Sequence, residues 1–547
     1  MKIAIFAPHN SIWVWGLFLS YFGRAFKSCG YEIDFISCNG DVEYCTAMIG
    51  LSPASNSRKK ANVCKFCKRN ARWLASSFNF NHITIETLAK SDKLNIFEKD
   101  VEDKIGAYAF YETILTYKTY GNFTPEMIEM KNAYHNGNRI IYAAAESYFK
   151  NNKPDLTLVW NGLYSFDRTW MLAAEKKNVP AYWINAGGNR GFEFQTIMFG
   201  TKNWYAYNAE QKENWTKAEP NIRTKASDAR IMAALIANII FAKTIFTYSK
   251  PKQNLHYRQS KKIGKRKLIV MPTSSQDELL SAKAVGAKVL CNNIFQEQTE
   301  WVQFILDRFS ESKDYFIVLR VHPRDFPNQR ENKHSEYSVF YYSLYEKYKN
   351  SDSIHINLPQ DNISLYDLFE EAALVLNGWS SAGEEAGLLG IPVVSAFQDY
   401  CNYPGNLEPS YADRLEYLNL IQKEINAGWS AQRALRFLKW RVFSTLQCEI
   451  TLSHEYLGNM GSRLPFKDRL LAKRMIRQMK SEQFEDILHY FKINNKYRET
   501  IANENCLGDD EILKQYFQYI YDALYKKSEN PPPNTLQKYI RNFLIHN

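Results

Sequence analysis

The chain has 547 residues, of which 45% are hydrophobic and 23% charged, and its formal net charge is +11 at pH 7. This composition is typical of globular proteins, and the length predicts two large domains rather than a single hydrophobic core. The positive charge suits nucleic acid, anionic lipid or a phosphorylated substrate, and it does not choose among them.

The N-terminal sequence lacks the pattern of a secretory signal, because its short apolar run continues as a strand. The longest apolar run, residues 231–242, contains Asn238 and is too short to span a bilayer. We therefore expect a cytoplasmic protein. Its nine cysteines are then expected to be reduced thiols or metal ligands rather than disulfides.

The first predicted elements are a strand at 2–7, a helix at 17–29 and a strand at 32–37. This order is typical of a doubly wound α/β domain, whose ligands gather beyond the carboxyl ends of the strands. His9 follows the first strand and is therefore a candidate functional residue. A structural histidine would fit the same position equally well.

Four cysteines follow with the spacing Cys38-x6-Cys45-x18-Cys64-x2-Cys67. Four thiols this close in the sequence could close a tetrahedral zinc site, and the second pair has standard spacing for one. The first pair is more widely spaced than in a typical zinc ribbon. Separate buried thiols or a redox pair are the alternatives to structural zinc.

The region from about 80 to 150 is predicted to be helical. A strand at 154–160, a helix at 169–177 and a strand at 181–185 follow it. Asp167 and Arg168 precede that helix, where Arg168 could bind an anion or pair with a carboxylate. Residues 250–267 are polar and lack apolar periodicity, which indicates a linker between domains.

The second half of the chain is predicted to repeat the architecture of the first. Strands are expected at 268–271, 315–319, 354–357 and 373–376, and helices at 296–309 and 364–372. Three strand-end loops carry side chains suited to a phosphate, namely Ser274-Ser275, Arg320-x-His322-Pro323 and Ser380-Ser381. Because neighbouring strand ends of a parallel sheet face one crevice, we expect these loops to converge.

Residues 374–395 are predicted to form a strand, a Gly/Ser turn, a helix that ends at Gly390 and another strand. Ser381 and Glu384 fit the Ser-x-x-Glu capping box. The helix start at Ser380 or Ser381 would present free N–H groups to an anion, although a capped helix needs no ligand. Beyond about residue 405 the chain is predicted to be mostly helical and basic.

His322-Pro323 and Ser380-Ser381 resemble the His-Pro and Ser-Ser motifs of bacterial sialyltransferases and Kdo transferases, which use CMP-activated sugars. The blocks 160–168, 272–278 and 319–323 resemble bacterial capsule polysaccharide biosynthesis proteins. The resemblance covers residues 1–400. It implies a GT-B-like α/β fold with two doubly wound, Rossmann-like domains facing a cleft. The helical pattern beyond residue 405 adds a C-terminal extension, for which we recognise no counterpart. The expected domains are an acceptor-side domain at 1–250, a nucleotide-sugar domain at 251–405 and the extension at 406–547.

The same resemblance implies a glycosyltransferase that adds a sugar to a capsular or lipopolysaccharide-type glycan. The sequence has no Asp-x-Asp motif of the metal-dependent GT-A class, so we expect a metal-independent enzyme. A CMP-activated ulosonic acid is one candidate donor. Donor contacts are expected from Ser274, Ser275, Arg320, His322, Pro323, Ser380, Ser381 and Glu385, with Glu385 on the ribose. The catalytic base would be His9, with Asp167 and Asp277 as alternatives, although Asp277 could instead cap the helix that follows it.

No cofactor is expected for catalysis, and zinc at Cys38, Cys45, Cys64 and Cys67 would be structural. The expected partners are a nucleotide sugar, a lipid-linked or oligosaccharide acceptor and an anionic membrane surface. Two other enzymes fit the phosphate-binding loops, a CDP-polyol phosphotransferase and a nucleotide-sugar 2-epimerase. A zinc-containing nucleic-acid-binding protein is disfavoured, since the basic residues are dispersed and no nucleic-acid-binding motif is recognised.

Overall fold

The computed structural model describes residues 1–51, 57–89, 97–119, 121, 123–188, 196–243, 248–286, 294–327, 334–451, 506–526 and 535–546. Within these ranges the chain forms two β-sheets with helices on their faces. None of the helices described there combines the length and the apolar character that crossing a bilayer would need.

The first sheet is built mainly from the N-terminal part of the chain. Its strands are β1 (Lys2–Phe6), β2 (Glu32–Ser37), β3 (Asn81–Thr84), β4 (Leu156–Trp160), β5 (Ala181–Ala186), β6 (Thr196–Gly200) and, from far along the chain, β12 (Ile450–Thr451). The strand order is β12-β6-β5-β4-β1-β2-β3. β1 to β5 are parallel, with Ile3 opposite Ile33 and Leu156, whereas β6 and β12 each pair antiparallel.

The second sheet is entirely parallel. Its strands are β7 (Lys267–Pro272), β8 (Tyr315–Arg320), β9 (Ile354–Asn357), β10 (Ala372–Asn377) and β11 (Val393–Ser395). Their order is β11-β10-β7-β8-β9. Each sheet therefore contains five parallel strands in the same doubly wound order, with the third, second, first, fourth and fifth strands side by side.

The helices connect the strands as crossovers and extend beyond the second sheet. They are α1 (Trp13–Ser28), α2 (Thr46–Leu51), α3 (Ser57–Phe78), α4 (Ile85–Ala89), α5 (Lys99–Tyr117), α6 (Pro125–Asn152), α7 (Ser165–Lys176), α8 (Trp204–Ala218), α9 (Ala226–Ile240), α10 (Tyr257–Ser260), α11 (Gln276–Ala284), α12 (Gln298–Phe309), α13 (Glu336–Tyr348), α14 (Leu365–Phe369), α15 (Ser381–Leu388), α16 (Arg414–Ala427), α17 (Ala431–Val442), α18 (Asp509–Tyr525) and α19 (Thr535–His546). A π-helical turn, Phe443–Gln447, follows α17.

The second sheet is buried on both faces, as its continuous apolar strands require. Val270 and Val318 belong to the hydrophobic core on one face, and Ile269 and Leu319 belong to the core on the other. A third core surrounds the first sheet. The fold is therefore GT-B-like, with two Rossmann-like α/β domains and a helical C-terminal extension, and this prediction is confirmed.

The C-terminal helices pack on the second domain, whereas the chain between them returns to the first. Side chains of α9, α17, α18 and α19 share one core with β7 and β10. After α17 and the π-helical turn, β12 pairs with β6 at the edge of the first sheet. The limits 1–250, 251–405 and 406–547 stay a prediction, and this core includes residues on both sides of the 251–405 range.

Several predicted elements differ from the structure. β3 lies within the region predicted to be helical, and the sequence analysis did not predict β6 or β12. α7 begins at Ser165, so Asp167 lies in its first turn rather than in a preceding loop. The predicted linker at 250–267 contains α10 and is held to the second domain, where Ser364 Oγ donates to the Lys250 carbonyl at 2.8 Å.

Candidate functional site

Both domains have a topological switch point, where the strand order reverses and a crevice opens at the carboxyl ends of the strands. In the first sheet this point lies between β1 and β4, and in the second it lies between β7 and β10. His9 follows β1 and Asp167 follows β4, while Ser274 follows β7 and Ser380 follows β10. Candidate residues thus flank both switch points.

In the second domain, Ser274 joins the loop after β7 to the loop after β10. Its hydroxyl accepts a hydrogen bond from the Trp379 amide at 2.9 Å, and its own amide donates to Gln298 Oε1 at 2.7 Å. A Cβ at Gly378 would lie 2.6 Å from the Gln298 amide oxygen and 3.0 Å from Ser274 Oγ, which explains the glycine. Gln298 was not predicted as a site residue.

The loop after β8 joins the same edge through its backbone. The His322 amide donates to Thr273 Oγ1 at 2.8 Å, and His322 Nδ1 accepts from the Arg324 amide at 3.2 Å. Because Nδ1 is an acceptor, the neutral ring carries its proton on Nε2. Burial and the nearby Arg324 charge lower the pKa of His322 to about 4, so the ring is neutral at pH 7. Pro323 starts a short 3₁₀ turn there.

The loops after β7, β8 and β10 therefore meet at one edge of the sheet, as the sequence predicts. Arg320 is directed differently. Its Nη1 donates to Asn357 Oδ1 at 2.9 Å on the β9 side of β8, whereas the switch point lies on the β7 side. Burial lowers the pKa of this guanidinium to about 10.

Asp277 is held by an arginine that was not predicted as a site residue. Arg324 donates to Asp277 Oδ2 through Nε at 2.9 Å, its Nη2 lies 2.7 Å from the same oxygen, and its Nη1 reaches Glu278 Oε1 at 2.9 Å. Ser275 Oγ also donates to Asp277. Ser275 caps the start of α11 by position, without a side-chain cap bond, so Asp277 does not cap this helix.

The start of α15 corrects the predicted capping box. Ser380 is the N-cap, and its hydroxyl accepts from the Ala382 amide at 3.3 Å. Ser381 is the first helical residue and donates to Glu385 Oε1 at 3.1 Å, while the Tyr366 hydroxyl donates to Glu385 Oε2 at 3.1 Å. Glu384 pairs with Arg441 at 3.1 Å instead of completing a box with Ser381.

In the first domain, His9 and Asp167 form a buried pair, with His9 Nε2 3.8 Å from Asp167 Oδ2. Neither ring nitrogen and neither carboxyl oxygen has a hydrogen-bond partner among the described residues. Burial lowers the pKa of His9 to about 3. Burial, followed by the charge of Glu112, raises the pKa of Asp167 well above its usual value.

Aromatic rings contact His9, and further polar atoms that follow β1 and β4 in the sequence are buried. The His9 ring is stacked on Phe166 at a centroid distance of 5.9 Å and is edge-on to Trp15 at 5.8 Å. Asn10 Oδ1, Ser11 Oγ, Asn161 Oδ1 and Arg168 Nη1 are likewise buried without hydrogen-bond partners in the described part of the chain. Since buried polar atoms in proteins are usually hydrogen-bonded, the carboxyl ends of β1 and β4, which carry these groups, are a candidate ligand site.

The four cysteines of the predicted zinc site have other contacts. Cys67 Sγ donates to the Pro8 carbonyl at 3.3 Å, and Cys45 Sγ accepts from the Met48 amide at 3.4 Å. Burial raises the pKa of Cys38 to about 11 and that of Cys67 to about 12, which disfavours thiolates. Among the described residues, which include Cys64, no group of three or more metal-ligating side chains could hold an ion. The zinc site at these four cysteines stays a prediction.

Two sets of contacts join the domains near these sites. Lys118 Nζ, at the end of α5, donates to the Phe326 carbonyl at 2.9 Å, and the Tyr205 hydroxyl donates to the Glu278 carbonyl at 3.0 Å. Arg441 donates to the carbonyl of Gly188, whose amide donates to Glu449 at 2.8 Å. Because Arg441 also pairs with Glu384 of α15, it links the second-domain site to the end of β5.

Comparisons with known proteins returned solved structures only. No protein-family profile matches the chain, and no curated protein matches it. The UDP-GlcNAc 2-epimerase of Methanocaldococcus jannaschii, solved with UDP-GlcNAc and UDP, is 13% identical, with 81% of this chain and 98% of that chain covered and a TM-score of 0.30. The UDP-GlcNAc 2-epimerase of Neisseria meningitidis bound to UDP-GlcNAc is 12% identical, with 88% and 100% covered and a TM-score of 0.29. The glycosyltransferase SnogD of Streptomyces nogalater is 9% identical, with 81% and 95% covered and a TM-score of 0.23. The fold assignment rests on the strand order of the two sheets.

Proposed function

We propose that this protein is a metal-independent glycosyltransferase that transfers a sugar from a nucleotide-sugar donor to a bacterial capsular or lipopolysaccharide-type glycan. The observation that carries the proposal is the meeting of three polar strand-end loops at the switch point of the second domain, beside the N-terminus of α15. A strand-end crevice at a helix N-terminus suits a phosphate group. The donor would therefore bind the second domain.

The leaving phosphate would be stabilised without a metal ion. The N-terminal amides of α15 carry the positive end of the helix dipole, and neutral His322 can donate from Nε2. The Ser380 hydroxyl accepts from the Ala382 amide, and the Ser274 hydroxyl accepts from the Trp379 amide. These two hydrogen bonds fix the backbone around this position. Asp277 is fully engaged with Arg324 and Ser275, so we assign it to positioning Arg324 rather than to proton transfer.

The acceptor hydroxyl would be deprotonated in the first domain. His9 is neutral at pH 7, so its ring can receive the proton, and Asp167, 3.8 Å away, would stabilise the resulting imidazolium in its ionised form. Glu385 would hold the ribose of the donor from one turn inside α15. The acceptor would be lipid-linked or an oligosaccharide, and the protein would work at the inner face of the plasma membrane.

Nucleotide-dependent stabilisation tests the donor site. CMP, CDP, UDP and GDP are compared by thermal shift, and we expect CMP to raise the melting temperature most, because it would bind the folded state only. His322→Ala should lose this shift. His135→Ala, which removes a histidine of the first domain paired with Glu102, should keep it.

Other outcomes would replace the proposal. A shift with none of the nucleotides would remove the nucleotide-sugar site. Conversion of UDP-GlcNAc to its 2-epimer without any acceptor would identify an epimerase instead. Transfer of a polyol phosphate from a CDP donor would identify a phosphotransferase.

A further inference from the structure

The helix α3 concentrates positive charge. Its 22 residues contain seven basic side chains and no acidic one, namely Arg58, Lys59, Lys60, Lys65, Lys68, Arg69 and Arg72. Like charges at helical spacing repel one another and weaken a helix. An external anionic partner would offset this repulsion.

Part of this charge lies on one exposed face of α3. Lys65, Arg69 and Arg72 are spaced four and three residues apart, and all three are exposed. Phe66 lies beside them with 44% of its surface exposed, and the Arg69 guanidinium lies 4.9 Å from the centre of its ring. We call these four residues the basic face.

Other side chains of α3 contact the first-domain site. Cys67 donates to the Pro8 carbonyl, and Asn70 Nδ2 donates to the Asn10 carbonyl at 2.9 Å. The Trp73 ring is stacked on Trp13, with centroids 4.9 Å apart. The loop that carries His9 therefore rests directly on the helix that carries the basic face.

We propose that the basic face docks on an anionic lipid bilayer, which would bring the His9 loop close to a lipid-linked acceptor. Basic side chains around an exposed aromatic ring are suited to the headgroup region of a membrane. Phe66 favours a bilayer over nucleic acid, because its ring can enter the interface while the cations contact headgroups. The docking itself needs no transferase activity, although its link to the acceptor rests on the proposed function.

Vesicle sedimentation with the full chain tests this docking. Vesicles of phosphatidylcholine alone are compared with vesicles that also contain phosphatidylglycerol. We expect binding to the anionic vesicles only, and a steep loss of binding as salt is added. The triple variant Lys65→Gln, Arg69→Gln, Arg72→Gln should bind about 100-fold more weakly, given the typical contribution of each basic residue near an anionic surface.

A matched variant controls for net charge. Lys261, Lys262 and Lys265 are exposed on the second domain, and changing them to Gln removes the same charge away from α3. This variant should bind vesicles almost as well as the wild type. Phe66→Ser should weaken binding several-fold with an unchanged salt dependence, and circular dichroism and melting temperature should show that each variant is folded.

Three results would overturn the docking proposal. They are equal vesicle binding by the α3 triple variant, an equal loss in the matched variant, and binding of single-stranded nucleic acid in place of vesicles. The stabilisation by CMP, measured on the same variants, separates this proposal from the proposed function. If CMP still stabilises the protein but the protein does not bind anionic vesicles, the docking proposal is wrong and the proposed function stands.

Discussion

The two switch points have the same strand order but differ in how their polar groups are satisfied. In the second domain, Ser274, His322 and Asp277 each have short hydrogen bonds to neighbouring loops. In the first domain, His9 and Asp167 are buried without hydrogen-bond partners in the described ranges. The second-domain edge is organised before any ligand arrives, whereas the first-domain edge holds polar atoms that a ligand or water would satisfy.

This difference has an energetic meaning. A buried polar group without a partner costs roughly 1–3 kcal/mol of stability. Such a cost persists most readily where function requires the group, as in a proton-transfer site. We therefore expect substitutions in the second domain to act mainly on stability, and those at the first-domain pair to act mainly on activity.

The largest effect on stability is expected from a substitution in the loops at the carboxyl ends of the second sheet's strands. Arg324→Ala leaves the carboxylate of Asp277 buried without its cation, which should lower the free energy of unfolding by about 3–5 kcal/mol. Urea denaturation measures this loss. Lys347→Ala, which removes an exposed pair with Asp307, should cost less than about 1 kcal/mol. If both variants lower the free energy of unfolding by a similar amount, the Arg324–Asp277 pair does not organise these loops.

Asp167→Asn tests the buried His9–Asp167 pair of the first domain. This variant should lose activity without losing stability. Loss of a proton-transfer partner should slow glycosyl transfer by about 100-fold or more. The raised pKa of Asp167 means that its protonated form favours folding at low pH. This contribution is lost as the pH rises from the ordinary value, 3.8, through the folded-state pKa.

The Asn side chain stays neutral, so the variant should lose less stability than the wild type as the pH is raised. Melting temperature as a function of pH measures this. Asp155 is an exposed carboxylate just before β4, at the amino ends of the strands. Asp155→Asn should change neither the dependence of melting temperature on pH nor the transfer rate. A large drop in the stability of Asp167→Asn at neutral pH would show that Asp167 is structural.

Arg441→Ala should have an intermediate effect, because it cuts the link between α15 and the end of β5. Loss of its contacts with Glu384 and Gly188 should cost about 2–3 kcal/mol. Burial raises the pKa of Glu449 from 4.5 to about 7, and Arg441 opposes that rise. In the wild type, the stability that Glu449 contributes when protonated is present below pH 4.5 and lost as the pH rises through about 7.

Removing Arg441 should raise the pKa of Glu449 further and shift this loss of stability to higher pH. Melting temperatures from acidic to mildly alkaline pH would show the shift. Glu449→Gln should remove it in both backgrounds. If the pH profiles of Arg441→Ala and the wild type coincide, Arg441 does not act on Glu449.

The smallest effect is expected at the start of α15. Ser380→Ala removes the N-cap hydrogen bond and should lower the free energy of unfolding by about 1 kcal/mol. Ser381→Ala removes a contact with Glu385 but no cap, so it should cost less. An inverted order would restore the predicted capping role of Ser381.

Local sequence pattern predicted the parallel strands well, because their apolar runs are bounded by Gly, Pro and polar loops. The central strands β1, β7, β8 and β10 were predicted to within about two residues of their ends. β6 and β12 were not predicted. β12 is the edge strand, and its pairing with β6 joins residues far apart in the sequence. No local pattern reports such a partner.

The site was predicted in part for the same reason. Strand-end position was enough to select His9, Ser274, His322 and Ser380, because the doubly wound order follows from alternating strands and helices. Side-chain direction was not available, so Arg320 was placed in the crevice although it turns to Asn357. Arg324 stands two residues after His322, and only its contact with Asp277 revealed its role.

The late return of β12 to the first sheet has a consequence for synthesis. β6 ends at Gly200 and its outer neighbour begins at Ile450, so roughly 250 residues must leave the ribosome before this edge is covered. At ordinary elongation rates the nascent chain waits on the order of ten seconds or more with an open strand. An exposed strand edge invites pairing with other chains, so truncation before residue 450 should yield an aggregation-prone product.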